Sequence, residues 1–158
     1  MAEKLEIPWE TKYKFAVGGY HAAITGFLSL ISEEFGADAT YKLYERFCKE
    51  NDRIKHLVEI IQNVFKIDGN DLDAVGKWWD IFYELYGTEA QDLEQSTTLT
   101  RNKITKCPWK IEGKGIDDWC MIFSDIVYET INPKATIEKV KGMCNGDSYC
   151  EFVSKLKT

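Results

Sequence analysis

Cys107, Cys120, Cys144 and Cys150 follow the spacing C-x12-C-x23-C-x5-C and are the residues of this chain whose chemistry is easiest to name. Four thiolates, or three with a carboxylate or imidazole, hold zinc at about 2.3 Å per sulfur, and a hairpin can present two of them at once. Zinc, or iron, is therefore one expectation for this set. The close C-x2-C pairs that mark many zinc sites are missing, so a reversible dithiol and plain apolar packing stay open beside it. Cys48, on the apolar side of a helical stretch with no second ligand near it in sequence, reads as packing. Within "KGMCNGDSYCEFV", Cys144 and Cys150 flank Asn-Gly-Asp, the residues of a tight turn. A loop of Gly146 to Ser148 would set the two cysteines opposite each other on one side of a hairpin.

Other groups able to do chemistry are few. His56 lies in a charged stretch and reads as solvated, whereas His21, in "GGYHAAITG", neighbours a run of small residues and could point into a pocket. Neither has a Ser or Cys at a spacing that suggests a nucleophile and its base. Asp117-Asp118 reads as helix capping and dipole compensation, and Glu33-Glu34 as a solvated face. "AVGGY" lacks the Lys and Ser/Thr of a phosphate-binding loop. The aromatic supply is richer: Trp78, Trp79, Phe82, Tyr83 and Tyr86 share one helical stretch and cannot all face a single core layer. Core packing plus a dimer contact is the first reading, and a homodimer is expected. A pocket lined by His21, Trp78, Trp79, Phe82 and Tyr83 is the second; it would be apolar, with a few polar groups, and would suit a small flat or aromatic ligand.

Those residues must be positioned by an α+β chain: a helical N-terminal half packed on a small antiparallel sheet that ends in a C-terminal hairpin. From Thr11 to Phe35 the apolar residues Ile24, Phe27, Leu28, Ile31 and Phe35 recur at helical spacing, and Gly18, Ala22 and Gly26 form a stripe that would let another helix approach closely. Gly36 stops that helix, with Asp38 a cap for the next. Helical periodicity resumes through Phe47, again from Ile54 to Phe65, and from Asp71 to Gly87. "DLEQSTTLTRNKITKC" alternates like strand, "IDDWCMIFSDIVYETINP" reads as the last helix, and "ATIEKVKGMC" with "YCEFVSKL" reads as the terminal hairpin.

The chain of 158 residues reads as one domain, 1–158, large enough to fold without disulfide staples. An odd number of cysteines at irregular spacing argues for a reducing, cytoplasmic home. No segment reads as a signal peptide or a membrane span, so no membrane partner is expected. A net charge of −6 without a Lys/Arg cluster makes nucleic acid an unsuitable partner.

"KCPW" at a strand end, a following helix carrying "WC", and a hairpin of the form C-x-G-D-x-x-C-x-F resemble the L-2-amino-thiazoline-4-carboxylic acid hydrolase-like family. The hairpin is also similar to the end of the 4-vinyl reductase domain, a small-molecule-binding α+β domain that occurs alone or as the sensor of aromatic-responsive regulators. A weaker likeness runs through "EEFGADATYKLYERFCKENDRI". The sensor branch implies a structural zinc held by cysteines that match Cys120, Cys144 and Cys150, with a glutamate three positions before Cys144. This chain has Lys141 there, so Cys107 would have to supply the fourth ligand. The resemblance implies a small-molecule-binding domain first. The alternative is a small hydrolase that opens a cyclic, thiazoline-type amidine by a cysteine thiolate or a metal-bound water.

Overall fold

The computed structural model describes residues 7–157. Four helices come first: α1 (Trp9–Phe35), α2 (Ala37–Lys49), α3 (Arg53–Phe65) and α4 (Leu72–Tyr86). The α1–α2 break is Gly36, whose φ of 82° suits a residue without Cβ; Asp38 lies inside α2 and does not cap it. Asp71 caps α4 by accepting the Ala74 N–H at 2.9 Å, and Gly87 closes it in the left-handed region.

A hairpin of β1 (Glu89–Gln95) and β2 (Leu99–Lys106) follows, then α5 (Trp119–Ile131), β3 (Ala135–Lys141) and β4 (Cys150–Leu156). The sheet order is β1-β2-β4-β3 and every pairing is antiparallel. The fold is therefore α+β, with the helices mostly in the N-terminal half.

The terminal hairpin differs from expectation in its loop. The chain between β3 and β4 runs from Gly142 to Tyr149 and contains a 3-10 turn, Met143–Asn145. Asp147 closes it twice: its carboxylate accepts the Gly142 N–H at 2.9 Å, and its own N–H donates to the Gly142 carbonyl at 3.2 Å. This closure is wider than the expected Gly146–Ser148 turn and leaves Cys144 outside the strand ladder. Cys150 stands across from Ile104 of β2, not from Cys144.

The main core lies between α3, α4 and α5, where Val58, Trp78, Trp79, Phe82 and Val127 are buried. Trp78, Trp79 and Phe82 of the aromatic helix α4 are thus interior, and Tyr83 and Tyr86 half-buried. Exposed apolar area is on α1 instead, where Phe15 is 84% and Leu30 54% exposed. No neighbouring atom lies within 4 Å of a Cβ placed on Gly18 or Gly26, so no described helix fills the small-residue stripe. From Phe15 to Ser32 α1 has no Asp, Glu, Lys or Arg, and by length and composition it is apolar enough to cross a membrane. The expectation that no segment has that property is corrected here.

Candidate functional site: an aromatic cavity bordered by thiols

Between the helices and the sheet lies a cavity of about 130 Å³. Its aromatic wall includes Trp79, Phe82, Tyr83 and Tyr86 from α4, Tyr44 from α2, Trp119 and Phe123 from α5, and Trp109 from the segment that joins β2 to α5. Most of the rings meet edge-on or tilted, with Trp79 stacked on Tyr83: Tyr44 and Trp119 have centroids 5.1 Å apart, Trp109 and Trp119 6.4 Å, and Phe82 and Tyr86 4.5 Å. The helical spacing that makes α4 amphipathic also puts Trp79, Phe82, Tyr83 and Tyr86 on the side facing this space, because residues three and four apart share a face.

The expected pocket residues separate accordingly. Trp79, Phe82 and Tyr83 line the cavity. Trp78 does not; it is buried in the core, stacked on Phe82, with its indole N–H donating to the Val58 carbonyl at 3.4 Å. His21 stands outside the wall, against the edge of Trp109 at 4.1 Å between centroids, and burial lowers its pKa. His56 is exposed.

Polar groups on the wall are sparse and several are unsatisfied. The indole N–H groups of Trp79, Trp109 and Trp119 and the hydroxyl of Thr88 are buried without a hydrogen-bond partner among the described residues. Trp119 is only 4% exposed. An indole nitrogen can only donate. Leaving such a donor unpaired costs about 1–3 kcal/mol, so three of them beside one cavity form a place for an acceptor to enter.

The one deeply placed cation on the wall is Lys139, whose side chain is 6% exposed. Its ammonium pairs with the Asp118 carboxylate and donates to the Asp117 carbonyl at 2.7 Å. Burial works to lower its pKa, but the Asp118 carboxylate and the neighbouring thiols outweigh that and hold it raised. Asp118, at the N-cap position of α5, makes no side-chain capping bond. The acidic pair expected to cap the helix therefore anchors the lysine instead.

All four C-terminal cysteines border this cavity, and Cys48 is packed in the core. Burial pushes the thiols of Cys107 and Cys120 up to about 12, in the second case against the pull of Lys139. Cys150 is raised by burial while its sulfur accepts the Met143 N–H at 3.2 Å. All four cysteines are free, and burial holds Cys107, Cys120 and Cys150 toward their protonated form. Among the described residues no group of three or more His, Cys, Asp or Glu is placed to hold an ion. The chemistry of the surroundings agrees, because Lys139 presents a positive charge to these sulfurs and Lys141 stands where the resemblance requires a carboxylate. The Lys141 side chain turns instead to Tyr149 and toward Glu151.

Trp109, Trp119, Thr88, Tyr44 and Lys139 were not singled out from the sequence as lining residues. Two of them do lie in the quoted fragments "KCPW" and "WC", where the tryptophan beside each cysteine is the signal. Lys139 carries no such signal: it is one of three charged residues in Glu138–Lys141 of β3, and its partners Asp117 and Asp118 lie far from it in sequence.

No curated protein matches the chain. Among solved structures, the phenol-responsive sensory domain of the transcription activator PoxR, determined with phenol, has a similar fold. The TM-score is 0.53 at 8% identity, covering 86% of this chain and 74% of that one. At that identity the likeness is one of fold. The hydrolase-like name is not the one reached by family comparison, which matches methanogen output domain 1 over residues 28–154; the chain belongs to the methanogen output domain 1 family.

Proposed function

We propose that the chain is a small-molecule-binding domain whose cavity takes a single-ring aromatic ligand carrying a hydrogen-bond acceptor. The observation that carries this reading is the set of unpartnered indole donors, Trp79, Trp109 and Trp119, on a largely apolar wall. Size supports it: an engineered apolar cavity of about 150 Å³ holds benzene, and this one is about 130 Å³. Charge supports it too, since among the described residues no Asp or Glu lines the cavity and Lys139 does, which favours a neutral or anionic ligand. The similarly folded PoxR domain is described as phenol-responsive, and phenol has this chemistry. The hydrolase alternative has less behind it, because the thiols at the cavity are pushed toward the unreactive protonated form and neither histidine lines it.

Calorimetric titration with phenol, benzoate and toluene tests the proposal. Phenol and benzoate should bind saturably and about tenfold more tightly than toluene, the worth of roughly one net hydrogen bond. Toluene binding as well as the other two, or none of the three binding at millimolar concentration, would overturn it.

A further inference from the structure

The outer face of α1 is self-complementary, and we infer that it pairs antiparallel with α1 of a second copy of this chain. The inner face is already occupied: His21, Leu28 and Ser32 are buried, the Ser32 hydroxyl donates to the Lys114 carbonyl at 2.6 Å, and Tyr13 reaches the Leu85 carbonyl. The opposite face carries Phe15, Gly19, Ala22, Ala23, Gly26, Phe27 and Leu30, all exposed. Apolar faces of this kind on a folded chain mark an interaction surface.

The order of residues along that face identifies the partner. A two-fold axis between Ala22 and Ala23 sets Ala22 against Ala23 of the partner subunit, and Gly19 against Gly26 of the partner subunit. Farther out, Phe15 meets Leu30 of the partner subunit, and Lys12 meets Glu33 of the partner subunit. Small residues therefore cross small residues at the centre, where two helix backbones come closest. Large apolar residues meet on either side, and opposite charges meet at each end. A parallel pairing would also set small residues on small ones, but it loses the charge match, stacking Lys12 on lysine and Glu33 on glutamate. The charge order also argues against a lipid surface, to which Glu33 and Glu34 at one end add nothing.

Sedimentation velocity and disulfide trapping of the full chain test the inference. The wild type should sediment as a dimer in the micromolar range. Leu30→Asp, at an exposed position that leaves the fold intact by circular dichroism, should raise the dimer dissociation constant at least tenfold. Lys12→Glu should weaken the dimer severalfold, and adding Glu33→Lys should restore it. Mixed Phe15→Cys and Leu30→Cys chains should cross-link to each other on mild oxidation, faster than either alone and faster than wild type. A monomer across the micromolar range, dimerisation untouched by Leu30→Asp, or preferential 15-to-15 trapping would overturn the inference. So would a wild type that is monomeric in buffer and partitions onto lipid vesicles.

Discussion

Replacing Cys120 by leucine should make the ligand-free protein more stable and at the same time abolish ligand binding. Cys120 projects from α5 onto the cavity wall, where its thiol is held near 12 by burial and makes no structural bond among the described residues. An unfilled interior volume costs about 24 cal/mol per Å³, so 130 Å³ corresponds to roughly 3 kcal/mol. A leucine occupying about half of that space recovers roughly 1.5 kcal/mol, or about 3–6 °C in Tm for a domain of this size. A ligand at about one hundred times its Kd should stabilise the wild type by about 2.7 kcal/mol, and the variant by almost nothing. Differential scanning calorimetry with and without phenol reads both effects. A variant that melts lower than wild type and still gains stability from phenol would refute the reasoning, because it would place both Cys120 and the ligand elsewhere.

Two further outcomes follow from the same geometry. Cys107 and Cys120 have folded pKa values raised by burial to about 12 from an ordinary value of 9.0, so folding favours their protonated forms. Their contribution is complete below about pH 9 and is lost as pH rises toward 12; urea titrations should show stability falling over that window and a flatter profile in the Cys107→Ser/Cys120→Ser variant. Arg101→Met should cost about 3 kcal/mol, read from the urea midpoint, because it removes the guanidinium that donates at 2.6 Å to Glu151, a carboxylate 2% exposed in the central strand. A loss under 1 kcal/mol would show that Lys141, 3.9 Å away, already suffices as its partner.

The fold was legible where local chemistry decides it. Gly36 and Gly87 end helices because each adopts a positive φ, and Asp71 starts one because its side chain reaches the third amide along. The alternation of β3 and β4 showed their pairing. The loop between them was misread because the Asp147 carboxylate bonds back to Gly142, a closure that Asn-Gly-Asp does not announce, and with it went the expected pairing of Cys144 with Cys150.

The site was only half legible. Helical spacing pointed to the aromatic side of α4, yet it could not separate Trp79, on the cavity, from its neighbour Trp78, in the core. The cysteines did converge on one region, as their placement on three elements suggested, but the cavity they border is set by Trp109 and Trp119. Those two lie in a segment without regular secondary structure and at the first residue of α5, where no periodicity marks an inward side. The exposure of α1 was also hidden, since Ile24 and Leu28 on its inner face and Phe27 and Leu30 on its outer face make the helix apolar all round.

The central claim, that an acceptor-bearing ring enters the cavity and meets the unpartnered indoles on its wall, is tested most directly by following the tryptophan side-chain N–H resonances during titration with phenol. The indole signals of Trp109 and Trp119, and with them that of Trp79, should move downfield saturably, while those of Trp78, bonded to the Val58 carbonyl, and of the exposed Trp9 stay in place. Unmoved Trp109 and Trp119 resonances under saturating phenol, or equal shifts at all the tryptophans, would contradict the account.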